Sequence, residues 1–165
     1  YCSSEDRGSH LSYVIESLMI LFVKKCWTLL HVGLVVLRVR FLLRVKTLPR
    51  VLDQLSPLCM AAEPDESSIK RLIGYVDCWL RWFPYNTKGN CFPRSLAIYG
   101  FARQLGYPVV FHCGVRKGAS SLDGHAWLTL GSHTFYEPGK QWRNFTVTFS
   151  YPPDPARDVN QTAVL

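Results

Sequence analysis

The stretch "GNCFPRSLAIYG", residues 89–100, places a cysteine behind a Gly-Asn turn and at the start of a helical pattern. Apolar residues follow Cys91 at the spacing of a buried helix face, and Gly-Tyr-Pro at residues 106–108 ends the pattern. A thiolate in the first turn of a helix is stabilised by the helix dipole and by unpaired backbone N–H groups, which lower the pKa of the thiol. Cys91 is therefore a candidate nucleophile, with a buried structural thiol as the alternative.

The sequence before Cys91 is largely helical. Residues 69–82 carry their apolar side chains on one stripe, which predicts a core helix that Ser67 or Ser68 caps. A longer helical pattern covers residues 12–48, and Gly33 inside it is a candidate break between two helices.

After residue 108 the apolar period changes from nearly four residues to two, which is typical of strands. The predicted strands are residues 109–115, 125–130, 133–137 and 145–151, and a basic, glycine-containing loop covers residues 116–124. Tight turns between such strands make them antiparallel. The predicted fold class is therefore α+β, with helices packed on an antiparallel sheet and an N-terminal helical element in front of them.

The composition is that of one folded domain. The chain has 165 residues, of which 48% are hydrophobic and 19% charged. We expect an apolar and basic helical element over residues 1–58, a core over residues 67–151 and a loose tail over residues 152–165. The six cysteines show no CxxC motif, and several lie in apolar runs, so we expect reduced thiols in a cytoplasmic protein.

The net charge of +7 has a local component, the basic segment, which consists of Arg38, Arg40, Arg44, Lys46 and Arg50. No acidic residue interrupts this segment, so an anionic partner is favoured there. The sequence has neither zinc-finger spacing nor an aromatic RNA-binding signature, and we expect no nucleic-acid partner. An acidic peptide or a membrane surface fits the basic segment better.

Residues 18–45 come nearest to a membrane span. Lys24 and Lys25 interrupt them, and the stretch free of lysine and arginine, residues 26–37, is shorter than the roughly 20 residues that cross a bilayer. The sequence therefore predicts no span, and a cytoplasmic location with peripheral membrane contact as an option.

A cysteine nucleophile needs a base that takes and returns its proton, and a third group that orients the base. His125 opens a predicted strand, and Glu137 lies on the neighbouring one. A two-residue turn at Gly131-Ser132 sets Ala126 opposite Glu137, which would point His125 and Glu137 to opposite faces. A bulge or a three-residue loop is therefore needed to bring the two side chains together.

Three further residues are candidates for the site, each with a second interpretation. Asp123 is an alternative acid, or a turn former beside its glycine neighbour. Asn90 is a candidate oxyanion donor together with the backbone N–H of Cys91, or a turn residue. Arg94 is a candidate substrate contact, or a surface charge.

A metal site would have to use His112, Cys113 and His133. Adjacent residues of a strand point to opposite faces, and no paired ligand spacing accompanies these three. We therefore expect no metal.

Two stretches, "NCFPRSLAIYGFARQLGYPVVFHCGVRKG" and "GHAWLTLGSHTFYEP", resemble the transglutaminase-like cysteine proteases of lasso-peptide biosynthesis, the leader peptidases called B proteins or, in split form, B2 proteins. The resemblance covers residues 69–138. It implies a transglutaminase-like or papain-like core with Cys91 as nucleophile, His125 as general base and Glu137 as third triad member. The family usually has aspartate at this last position, so the glutamate is a departure.

The resemblance also implies a function, the removal of the leader peptide from a ribosomally made lasso precursor by hydrolysis through a thioester. It implies no cofactor, and three partners: the precursor leader, a separate B1-type recognition protein and an ATP-dependent lasso cyclase. The helical sequence before residue 69 resembles the split form, because a fused recognition domain would be rich in strands. Two alternatives remain, an inactive transglutaminase-like peptide-binding module and a peripheral membrane-associated scaffold.

Overall fold

The computed structural model describes residues 6–57, 63–82, 89–118 and 121–153, so residues 154–165 of the expected tail lie outside it. In these ranges the fold is α+β, as predicted, and its helices pack on an antiparallel sheet. The elements are α1 (Asp6–Val45), α2 (Leu48–Leu55), α3 (Glu66–Trp82), α4 (Cys91–Gln104), β1 (Val110–Lys117), β2 (Leu122–Leu130), β3 (His133–Thr134), a 3-10 helix (Gln141–Asn144) and β4 (Thr146–Tyr151).

Helix α1 continues through Gly33, so the expected break at this residue is wrong. A Cβ atom at Gly33 would lie 2.5 Å from ring carbons of Trp79 on α3. The same indole donates a hydrogen bond of 2.8 Å from Nε1 to the backbone oxygen of Leu29 on α1. The glycine therefore serves the close approach of two helices and does not end either of them.

The N-terminus of α3 is capped by Asp65, where the sequence pattern had favoured Ser67 or Ser68. Asp65 Oδ1 accepts hydrogen bonds from the backbone N–H groups of Ser67, at 2.9 Å, and Ser68, at 3.2 Å. Hydrogen bonds from the side chains of Ser68 and Ser67, and from their amides, lower the pKa of the Asp65 carboxyl to about 2. A carboxylate complements the positive end of the helix dipole, which a hydroxyl does less well.

The sheet has the strand order β3-β2-β1-β4, and all neighbours are antiparallel. The pairing of β1 with β2 continues out to Lys117 opposite Leu122, so much of the predicted loop over residues 116–124 is strand. Helix α4 packs on this sheet, and Ser95 Oγ donates a hydrogen bond of 2.8 Å to the backbone oxygen of Ala126. That contact fixes the helix against β2, next to the strand position of His125.

The core lies between the sheet and the helices. Helix α4 is buried at every position from 95 to 102, because α1, α2 and α3 cover the sides that the sheet does not. Side chains without solvent exposure come from helices and sheet alike: Val36, Val51, Val76, Leu96, Tyr99 and Phe111. Because neighbouring elements enclose α4, the position of its first residue, Cys91, is fixed.

Helix α1 has two different halves. The C-terminal half contributes fully buried side chains to the core: Val32, Val36 and Val39. The apolar side chains of residues 18–23, by contrast, are between 55% and 68% exposed. The helix over Ile15–Val45 is long and apolar enough to cross a membrane, by length and composition. Lys24 and Lys25 therefore do not exclude a span by length and composition, and the expectation that this helix does not span a membrane stays a prediction.

Candidate active site

Cys91 is the first residue of α4, and the side chain of the N-cap residue does not cap the backbone N–H groups at this end of the helix. The N-cap residue Asn90 makes no side-chain hydrogen bond to the helix, and Pro93 in the first turn has no backbone N–H. The thiol instead receives hydrogen bonds from the backbone N–H groups of Ala126 on β2 and Phe92 on α4. The start of α4 is therefore an anion site that the cysteine itself occupies.

The pKa of the Cys91 thiol lies below its ordinary value. Burial opposes ionisation and by itself would raise this pKa, but the hydrogen bonds from His125 and from the backbone outweigh it. Cys113 on β1 shows the opposite result, because burial raises the pKa of its thiol. Of these two thiols, Cys91 is the one placed to act as a nucleophile.

His125 lies on β2 opposite Gly114 of β1 and is held between aromatic rings. The Trp127 ring is stacked on it at a centroid distance of 5.9 Å, and the Phe145 ring lies 5.2 Å away. A Cβ atom at Gly114 would lie 3.0 Å from Trp127 and 2.7 Å from the backbone oxygen of Thr146. Only glycine leaves room here for the rings that fix the plane of the imidazole.

Glu137 accepts a hydrogen bond of 2.8 Å, from His125 Nε2 to Oε1, and its side chain is only 7% exposed. This bond leaves Nδ1 as the imidazole nitrogen for the Cys91 thiol, to which His125 is also hydrogen-bonded. The structure thus brings together the three residues that the sequence singled out, in the order thiol, imidazole, carboxylate.

The hairpin that carries Glu137 solves the register problem in a way that the sequence did not predict. Leu130 pairs with His133, as expected for the two-residue turn. Strand β3 then ends, and Tyr136 adopts a left-handed conformation with φ 49°. This residue redirects the chain so that Glu137 reaches His125, without the expected bulge or three-residue loop.

Hydrogen bonds with Cys91 and then with Glu137 raise the pKa of His125 to about 9, although burial opposes the shift. The pKa of the Cys91 thiol moves in the opposite direction. The two shifts share one cause, the hydrogen bond between thiol and imidazole, to which Glu137 adds on the imidazole and the backbone N–H groups add on the thiol. At neutral pH the imidazole is therefore protonated, and the lowered pKa of the thiol favours a thiolate beside it.

Arg94 positions the loop of Glu137. Its Nε and Nη2 atoms donate to the two carboxylate oxygens of Asp77 on α3, at 2.7 and 3.2 Å. Its Nη1 donates to the backbone oxygen of Tyr136 at 3.2 Å and lies 4.0 Å from Glu137 Oε2. The side chain is 16% exposed and committed to these partners, which favours neither of the two interpretations drawn from the sequence.

Asn90 ties three helices together. Its Nδ2 donates to the backbone oxygen of Leu80 on α3 at 3.3 Å, and its Oδ1 accepts from Arg40 Nη1 on α1 at 3.2 Å. These contacts favour a structural role for the side chain over the expected donation to an oxyanion. Arg40 therefore does not contribute to a cationic surface in the way that the sequence predicted for the basic segment.

Asp123 and His112 make side-chain contacts with residues other than Cys91 and His125. Asp123, the alternative acid, forms an ion pair with Arg116 at 2.9 Å, and its side chain is 45% exposed. His112 hydrogen-bonds Ser150 through Nδ1 and Thr129 through Nε2. In the ranges that the structure covers, no group of three or more His, Cys, Asp or Glu residues could hold a metal ion.

Sequence reasoning missed Trp127 and Asp77. Trp127 follows His125 by two positions on one strand, so strand alternation could have placed the two rings on one face. Asp77 carried no such signal, because it lies on a different helix from Arg94 and meets it only after α3 and α4 have packed.

A scan against family models matches residues 34–150 to a family described as the transglutaminase-like superfamily. The matched region begins within α1 and contains Cys91, His125 and Glu137. Searches of curated proteins and of solved structures returned no match.

Proposed function

The chain belongs to the transglutaminase-like superfamily, and from this premise we propose that it is a cysteine peptidase that removes the leader peptide from a lasso-peptide precursor. The hydrogen-bonded series Cys91, His125 and Glu137 at the start of α4 carries the proposal. The choice of substrate rests on the resemblance of residues 69–138 to the leader peptidases of lasso biosynthesis.

In the first half of the reaction, Cys91 Sγ attacks the scissile carbonyl carbon as a thiolate. The backbone N–H of Cys91, at the start of α4, would donate a hydrogen bond to the oxyanion that forms. The His125 imidazolium then gives its proton to the departing amine, the C–N bond breaks, and an acyl-thioester remains.

In the second half, neutral His125 takes a proton from water, and the hydroxide attacks the thioester carbon. The C–S bond breaks, the acid product leaves, and the thiolate–imidazolium pair is restored. Glu137 keeps Nε2 of the imidazole as donor throughout and stabilises its positive charge. These steps use side chains and backbone N–H groups of this chain, and water.

Three partners belong to the proposal: the precursor leader, a separate B1-type recognition protein and the ATP-dependent cyclase that closes the lasso ring. The exposed arginines and lysine of the basic segment provide a cationic surface for a complex that contains an acidic leader: Arg38, Arg44, Lys46 and Arg50. The location that goes with this function is the cytoplasm, with contact to a membrane through α1.

The test combines the purified chain with a lasso precursor and its recognition protein, and follows leader release by mass spectrometry. Cys91→Ala should abolish release and leave the circular dichroism spectrum unchanged, because the variant lacks the thiol that forms the proposed thioester. Release by this variant at the wild-type rate would refute the mechanism.

Labelling with iodoacetamide provides the matching control on the wild-type chain. Cys91 should react faster than Cys26, Cys78 and Cys113, because the hydrogen bond from His125 lowers the pKa of its thiol. Equal labelling of all four would favour the inactive peptide-binding module instead.

A further inference from the structure

A groove of about 640 Å³ lies between α1 and α3, away from Cys91. Its apolar wall includes Leu21, Leu72 and Leu105. Three basic side chains line it as well: Lys24, Lys25 and Arg71. The groove therefore combines an apolar wall with a cationic rim, a combination that neither a folded core nor an ordinary solvated surface requires.

The three cations of the groove form no ion pair with any residue that the structure describes. Among the described residues, no carboxylate lies within ion-pair distance of Lys24, Lys25 or Arg71. Arg71 Nη2 donates to Ser68 Oγ at 3.0 Å, which aligns one guanidinium edge with a hydroxyl that can itself donate. Converging donors without a counter-charge suit an anion such as a phosphate group.

Next to the groove, α1 carries exposed apolar side chains around its whole circumference. Residues 18–23 of α1 are six consecutive apolar residues that project in all directions around the axis, and each is more than half exposed. Farther along α1, an exposed stripe continues through Trp27, Leu30 and Leu34. Such a surface is costly in water and favourable in the boundary layer of a bilayer.

We propose that the groove binds the headgroup of an anionic phospholipid while residues 18–23 enter the acyl region beside it. The phosphate would lie between the two lysines and the arginine, with the Ser68 hydroxyl as a further donor, and an acyl chain would cover the apolar wall. A lipid fits better than an acidic peptide because the cations border an exposed apolar helix that a peptide would leave uncovered. This site is independent of the peptidase reaction.

The experiment is flotation of the full chain with vesicles of phosphatidylcholine, alone or enriched in phosphatidylglycerol. The wild-type chain should float preferentially with the anionic vesicles. The triple variant Lys24→Gln, Lys25→Gln and Arg71→Gln should lower the partition coefficient about 100-fold, since each cation near an anionic surface contributes about 1 kcal/mol. Phe22→Ser should weaken binding to both kinds of vesicle.

A matched control removes the same charge elsewhere, through Arg81→Gln, Lys117→Gln and Lys140→Gln at exposed positions. Equal losses for the two triple variants, or equal flotation of the wild type with both vesicles, would overturn the proposal. Displacement from the vesicles by inorganic phosphate at matched ionic strength would identify an ion site and not a lipid site. Unchanged flotation of the groove variant, with weaker precursor binding, would assign the groove to an acidic peptide.

Discussion

At the scale of single residues, His125 is the centre of the site, because its two ring nitrogens bond two different groups, a carboxylate and a thiol. Nε2 bonds the Glu137 carboxylate, and the other nitrogen is left for the Cys91 thiol. The resulting ion pair requires a thiol that has lost its proton and an imidazole that has kept one. The proposed reaction therefore requires a deprotonated thiol and a protonated imidazole at the same pH.

The rate of the reaction should fall as pH rises through about 9, the pKa of His125, because the imidazolium is then lost as proton donor. Glu137→Gln removes a carboxylate that raises this pKa, so the alkaline limb of the pH–rate profile should move to lower pH. The same substitution should lower kcat by about 10²-fold or more. The measurement is the pH dependence of kcat/KM for leader release.

Asp123→Asn is the matched control, because Asp123 pairs with Arg116 and not with His125. It should leave both the limb and kcat unchanged. If Asp123→Asn moves the limb and Glu137→Gln does not, Asp123 is the acid and the alignment with the leader peptidases fails at this point.

Asp77→Asn should act on the reaction through Arg94. The variant weakens the ion pair that holds the guanidinium against the Tyr136 carbonyl, so Glu137 loses part of its support. We expect kcat to fall on the order of 10-fold with KM unchanged, and the alkaline limb to shift toward lower pH. A rise in KM at unchanged kcat would instead return Arg94 to the role of substrate contact.

At the scale of elements, the contact of α1 with α3 depends on one glycine. The Trp79 indole fills the space that a side chain at Gly33 would occupy, and it is hydrogen-bonded to the backbone of α1. This close contact anchors α1 to the rest of the fold, although much of its apolar surface stays exposed. The family match, which begins at residue 34, includes the helix half beyond this contact.

Gly33→Ala should lower the free energy of unfolding by about 1–3 kcal/mol, because the added Cβ overlaps a ring that cannot withdraw without losing its hydrogen bond. Urea denaturation measures the change. Gly74→Ala on α3 is the matched control: nothing lies within 4 Å of its added Cβ, so it should stabilise the helix by about 0.5–1 kcal/mol. Equal effects of the two substitutions would contradict the role of the Trp79 contact.

At the scale of the whole molecule, two cationic surfaces of the described residues are candidates for binding. One is the groove between α1 and α3, and the other is the exposed part of the basic segment, near the C-terminal end of α1. Arg40 is not counted with either surface, because its guanidinium donates a hydrogen bond to Asn90, the residue before Cys91. Charge reversal at Arg40 would thus disturb the site itself, and the basic segment is better tested at other positions.

Arg44→Glu combined with Lys46→Glu should weaken binding of the complex of leader and recognition protein, and should make leader release less sensitive to salt. The alkylation rate of Cys91 should stay the same, because both positions are exposed and the site does not use them. Binding is measured by titration at two ionic strengths. Unchanged binding together with loss of flotation on anionic vesicles would assign these residues to the membrane.

The sequence by itself determined the helix at Cys91, a strand that contains His125 and the two-residue turn before Glu137, because periodicity, glycine and proline are local signals. The start of that strand was predicted wrongly, since β2 begins at Leu122 and not at His125. Only the tertiary structure decided how Glu137 reaches His125, through the left-handed Tyr136, and that Asp77 and Asn90 support the site. It also decided that Gly33 is a packing position and not a break. Such features depend on which helix faces which strand, and a local pattern carries no information about a partner 17 or 50 positions away.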